Sequence, residues 1–77
     1  MTNLETYSKL TDREKECLGL ISDGLIRSEI SKKMGNSTKT TDQYISAIRR
    51  KTGIKSFVLL ARFYDKYLRK YNDNSAV

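Results

Sequence analysis

Hydrophobic positions fall along the chain in four groups at helical spacing, separated by short polar turns. In the first group, Cys17, Leu18 and Ile21, with Leu20 beside them, share one side of a segment that opens on Thr11-Asp12-Arg13-Glu14. That opening is a capping box: the Thr11 hydroxyl serves the N–H of Glu14, and the Glu14 carboxylate reaches back to the N–H of Thr11. A helix is therefore predicted over 12–22, with Gly24 as its stop. In the second group Ile30 and Met34, spaced i, i+4, point inward from a helix over 27–34, with Arg27, Lys32 and Lys33 outward and Gly35 at its end. Only Asn36 separates that glycine from the next cap, Ser37. Two helices joined so tightly must cross sharply, as in a helix-turn-helix.

The third group belongs to a two-faced helix over 37–51. Thr41, Tyr44, Ile45, Ile48 and Thr52 recur at i, i+3, i+4, i+7 and i+11, a stripe suited to a core. Lys39, Asp42, Gln43, Ser46 and Arg50 point the other way, and Arg49, Arg50, Lys51 and Lys55 crowd cations at the C-terminal end. Taken alone this is a solvated surface helix, since cations there also complement the helix dipole. Following a helix and a short turn, it is the pattern of a DNA recognition helix. The fourth helix is predicted over 57–71, with Phe57, Leu60, Ala61, Tyr64 and Leu68 on its core side. Leu59, Phe63 and Tyr67, spaced four apart, then form a second apolar row, which implies a partner and is read as a dimer interface. Residues 1–9 read as a flexible arm packing at most through Leu4 and Tyr7, residues 10–71 as the folded domain and 72–77 as a disordered tail. The expected fold class is all-α, with four helices.

Length and composition narrow the setting. A chain of 77 residues is one small domain, burying only about 60% of its extended surface, so self-association would help it. One cysteine and no histidine leave no intramolecular disulfide and too few ligands for a zinc site of the usual kind. Cys17, on the apolar side of its helix, reads as structural. No apolar run approaches the roughly 20 residues of a membrane span, and the N-terminus lacks the order of a signal peptide. No membrane association and a cytoplasmic location are expected. The net charge of +6 is unevenly placed. Residues 1–25 carry three cations against five anions, a net −2, whereas 26–77 carry twelve against four, a net +8. The basic part holds the recognition helix, which points to a polyanion, nucleic acid foremost. No nucleophile with a base and no glycine-rich phosphate loop is present, so neither an enzyme nor a bound cofactor is expected.

With these residues placed, the sequence resembles the LuxR/FixJ/GerE type of helix-turn-helix domain from Leu10 to about Ala61. The resemblance rests on Leu10-Thr11-Asp12-Arg13-Glu14-Lys15-Glu16, Leu18 with Ile21, Gly24-Leu25, Glu29-Ile30, Met34-Gly35, Ser37 with Thr40, Ile45 with Ile48, and Lys51 with Gly53-Ile54-Lys55-Ser56. It implies a four-helix domain whose third helix enters the major groove of double-stranded DNA and whose fourth makes a dimer contact. Members usually follow a receiver or ligand-sensing domain, so this chain looks like the short, stand-alone ones. Some positions depart from the family: Ile26 replaces a hydroxyl cap, Ser31 an Ala, Asn36 an apolar residue, Thr41 a Val and Tyr44 a His. Asp42 stands where the family often has a cation. Its carboxylate either narrows specificity, by accepting from the amino group of cytosine, or weakens binding, and the cations kept around it favour the first. The expected contacts are Lys39, Thr40, Arg50 and Lys51 to phosphates, with Arg49 in the same basic cluster, and Asp42, Gln43 and Ser46 to base edges. The leading expectation is a sequence-specific, homodimeric transcriptional regulator. Its rival is an interaction protein that pairs through helix 57–71 with a larger LuxR-type regulator, as a heterodimer, without specific DNA binding of its own.

Overall fold

The computed structural model describes residues 3–69, with side chains over 5–66, and all the regular secondary structure among them is helical. Helices α1 (Asn3–Ser8), α2 (Asp12–Ser22), α3 (Arg27–Met34), α4 (Thr38–Thr52) and α5 (Phe57–Phe63) follow in order, and a π-helical stretch, Tyr64–Arg69, continues α5. The three helices predicted from residues 12 to 51 stand within a residue of their expected bounds. Their caps explain this. The Thr11 hydroxyl accepts from Glu14 N–H at 3.1 Å, and Glu14 Oε1 from Thr11 N–H at 2.9 Å. Ser37 caps α4 by accepting from Thr40 N–H at 3.1 Å. At the start of α3, Ile26 supplies no hydroxyl, and the carboxylate of Glu29 accepts from Ile26 N–H at 2.9 Å instead.

The turn between α3 and α4 depends on Gly35. Its φ of 71° lies in the left-handed region, where a Cβ costs about 1–2 kcal/mol. That conformation lets Gly35 N–H reach Lys32 O at 3.2 Å and Asn36 N–H reach Ser31 O at 3.0 Å, the paired bonds of a Schellman end. The chain is thereby redirected within two residues, and α4 crosses α3.

Helix α2 is the centre of the packing, against α3, α4 and α5. Leu18, Ile30, Ile48 and Leu60, one from each of four helices, are fully buried, with Leu10, Cys17, Ile21, Met34, Ile45 and Phe63 around them. Burial pushes the Cys17 thiol up to about 11, with smaller contributions from Glu16 and Glu14, so no thiolate forms near neutral pH. A close approach fixes the far side of α2: a Cβ at Gly19 would lie 3.2 Å from the Tyr64 hydroxyl.

Two expectations are corrected. The arm predicted at 1–9 holds a helix over Asn3–Ser8, from which Tyr7 packs against the core and Thr6 is buried. Lys15 lies over the Tyr7 ring at 4.5 Å, a cation–π contact that the sequence spacing does not show. More consequentially, Phe63 is a core residue, 5% exposed, and no part of an outer row. At about 100° per residue, Phe63 stands roughly 60° from Leu60 around the axis, as Phe57 does on the other side. The i, i+4 spacing pairs Phe63 with Leu59, whereas anchoring the wheel on Leu60 places Phe63 inside. Leu59 is 51% exposed and its neighbour Val58 67%. The π-helical stretch also resets the phase after Phe63, since its turn is wider. The side chains of Tyr67 and Leu68, residues 70–71 and the tail at 72–77 lie outside the described residues.

Candidate nucleic-acid interface

Helix α4 buries Thr41, Ile45, Ala47 and Ile48 and turns its opposite side outward. On that side Lys39, Gln43, Ser46 and Arg50 recur at i, i+4, i+7 and i+11, within an arc of roughly 60°. Lys39, Gln43, Ser46 and Arg50 are all exposed. None of the four is held by a hydrogen bond or ion pair among the described residues. An open row of amide, hydroxyl and cationic ends is therefore presented on a helix whose other side is fixed.

The remaining predicted residues flank this row and are engaged. On one edge Asp42 meets Arg27 of α3, with Arg27 Nη1 3.3 Å from Asp42 Oδ1, both side chains about half exposed. Arg49 lies over the Phe57 ring of α5 at 5.1 Å. On the other edge the Thr40 hydroxyl accepts from that of Ser37 at 3.1 Å. Lys51 is drawn inward, donating to Glu14 Oε1 of α2 at 2.8 Å. Its side chain keeps 26% of its exposure and that of Glu14 keeps 8%. Burial acts to raise the Glu14 carboxyl; the bonds from Lys51 and from the Thr11 N–H outweigh it, and the carboxyl titrates below its ordinary range. The cation assigned to phosphates thus serves a protein carboxylate.

Neighbouring Arg13 complements that contact. Its Nη2 donates to Met34 O, at the end of α3, at 2.8 Å, while Nη1 pairs with Glu16 at 2.9 Å. Consecutive residues of α2 thereby hold the end of α3, just before the turn, and the last turn of α4.

Sequence reasoning missed three features. Arg27 was placed outward but not paired with Asp42, fifteen residues away, and no local pattern announces such a contact. Val58, 67% exposed, stands outside the row of Leu59, Phe63 and Tyr67 that the spacing offers. The third is a polar cluster where α3 crosses α4. Ser31 Oγ lies 2.7 Å from Thr41 Oγ1 and 3.0 Å from Arg27 O, and Thr41 Oγ1 lies 2.7 Å from Asn36 Oδ1. A signal existed in that case, because Ser31, Asn36 and Thr41 are all polar at positions that the resemblance fills with apolar residues.

A sharply crossed helix pair whose second member carries an open polar row is a helix-turn-helix unit. Residues 8–64 match the family described as bacterial regulatory proteins, luxR family, and the chain belongs to it. Among its relatives, a probable transcriptional regulator, ycf29, of Pyropia yezoensis is 38% identical over 55 residues, 71% of this chain and 25% of that protein. The response regulator Rre1 of Synechocystis is 38% identical over 53 residues, 69% of this chain and 23% of that one. The DNA-binding transcriptional activator DevR/DosR of Mycobacterium tuberculosis is 40% identical over 51 residues, 66% and 24% respectively. The matched segment spans about a quarter of the length of these relatives. No solved structure matches the chain. No helix among the described residues is long and apolar enough to cross a membrane.

Proposed function

We propose that the chain is a sequence-specific DNA-binding domain of a transcriptional regulator, with α4 in the major groove. The observation that carries this reading is the open row of Lys39, Gln43, Ser46 and Arg50 on a helix otherwise committed to protein. Gln43 suits a bidentate pair with adenine, Ser46 a second base edge, and Lys39 and Arg50 the phosphates on either side. Asp42, paired with Arg27 in the free chain, accepts from the amino group of cytosine in this reading, with Arg27 turning to a phosphate. Arg49 and Thr40 reinforce the flanks, while Lys51 contributes through its grip on Glu14.

Two such domains act together in this reading. The exposed Val58 and Leu59 on α5 supply the self-complementary contact, in place of the row with Phe63. A two-fold contact of that kind sets the recognition helices about 34 Å apart, one turn of DNA. The same apolar pair would serve a heterodimer with a larger LuxR-type regulator; selective DNA binding by the chain alone separates the two ideas.

Selection of duplexes from a random library, followed by anisotropy titrations over a range of salt, tests the proposal. It expects an enriched two-half-site sequence and an affinity that falls steeply with salt as condensed counterions are released. Absence of any enriched site, with binding equally weak to every duplex at low salt, would refute it.

A further inference from the structure

The crossing of α3 on α4 is apolar around Ile30, Met34, Ile45 and Ile48, except for the cluster of Ser31, Asn36 and Thr41. Ser31 is 4% exposed and Thr41 fully buried. Polar groups in such a place are costly unless paired, and here the pairing can be followed atom by atom. Each hydroxyl carries one proton. Ser31 Oγ donates to Thr41 Oγ1 at 2.7 Å, with Arg27 O as its alternative acceptor at 3.0 Å, and Thr41 Oγ1 donates to Asn36 Oδ1 at 2.7 Å. The Asn36 amide nitrogen is buried without a hydrogen-bond partner, so the side chain is held through Oδ1 alone. The result is a one-way relay from Ser31 of α3 through Thr41 of α4 to Asn36 of the turn. Every hydroxyl then donates once.

We infer that this relay is a positioning device for the reading row, setting the rotation of α4 on α3. Apolar packing alone is non-directional and tolerates some rotation of one helix over another. Hydrogen bonds weaken steeply once bent, so two contacts of 2.7 Å from one residue of α4 resist it. The lever arm makes small rotations matter. Side-chain ends stand about 5–6 Å from a helix axis, so a turn of roughly 20° moves Gln43 and Ser46 by about 2 Å. That exceeds the roughly 0.5 Å window of a hydrogen bond to a base edge. Phosphate contacts through long cationic side chains absorb the same movement. The relay therefore bears on which sequence is chosen more than on how tightly DNA in general is held.

The inference rests on the DNA-binding reading, and its test separates the two. Thr41→Val, Thr41→Ser and the triple variant Ser31→Ala/Asn36→Leu/Thr41→Val are compared with the unmodified chain. Asn36 has no left-handed φ to forbid leucine. Chemical denaturation reports stability, and anisotropy against the selected duplex and a scrambled one reports discrimination, at a temperature where every variant is folded. Thr41→Val, which strands two buried partners, should lose stability. The triple variant removes donors and acceptors together and should regain much of it. Both should lose roughly tenfold in discrimination, on the order of one base contact, with scrambled-duplex affinity and salt slope unchanged. Thr41→Ser, which keeps the hydroxyl, should retain discrimination. Unmodified discrimination in the triple variant, or in Thr41→Val should the triple variant not fold, overturns the inference while leaving the DNA-binding reading standing. If the unmodified chain fails to discriminate, both fall.

Discussion

Replacing Lys51 with alanine removes the ammonium that Glu14 accepts from at 2.8 Å and leaves the carboxylate of a buried residue with its Thr11 contacts alone. Breaking a buried ion pair costs about 3–5 kcal/mol. Lys51 keeps a quarter of its exposure, so water screens part of the loss, and about 2–3 kcal/mol is the better figure here. A domain of this size has a total stability of about 4–12 kcal/mol, and the melting temperature should fall by roughly 10–20 °C. The pH dependence carries a sign that identifies the cause. Because the folded Glu14 carboxyl lies below its ordinary range, its stabilisation is complete above that range and fades as pH falls through the folded value. In the variant, burial acts without the cation and favours the protonated acid. The two proteins should therefore differ most at neutral pH and converge in acid, as circular dichroism melts at a series of pH values can show. Equal melting at neutral pH, joined to a uniform loss of affinity for every duplex, would refute the reasoning and return Lys51 to the phosphates.

Phe63→Glu should unfold the domain, since losing a buried phenylalanine costs about 3–5 kcal/mol before the charge is counted; Leu59→Glu should stay helical and sediment as a monomer. A folded, monomeric Phe63→Glu would reverse that assignment. Gln43→Ala should flatten the preference at one base pair by about 1–3 kcal/mol, whereas Arg50→Ala should weaken binding to all duplexes and reduce the salt slope by about one; titrations at several salt concentrations distinguish them. Gly35→Ala, forced into the left-handed region, should lower stability by about 1–2 kcal/mol in denaturant titrations, and an unchanged midpoint would mean the turn relaxes.

What was legible in the sequence was what acts locally. Thr11 with Glu14, Ser37 before its helix and Gly35 after another are contacts within a few residues, so they place helix ends without any knowledge of the fold. The outward row of α4 was legible too, because burial of Ile45 and Ile48 fixes its opposite side. Partners distant in sequence were not. Lys51 and Glu14 are separated by 37 residues, and no helical wheel of α4 tells a cation facing solvent from one drawn back across a neighbour. Phe63 failed for a different reason: on a helix with apolar residues nearly all round, spacing offers several equivalent stripes, and only the position of Leu60 against α2 selects one.

The grip of Arg13 on the end of α3 and of Glu14 on the last turn of α4 has a mechanical meaning. A helix anchored at one end is a cantilever and sweeps an arc with each thermal fluctuation; one tied through the preceding helix at its start and directly at its last turn is a clamped beam. Its softest remaining motion is bending along its length, which moves the ends of the row little. The entropy lost in aiming that row falls on folding, before any ligand arrives, so less is lost on binding.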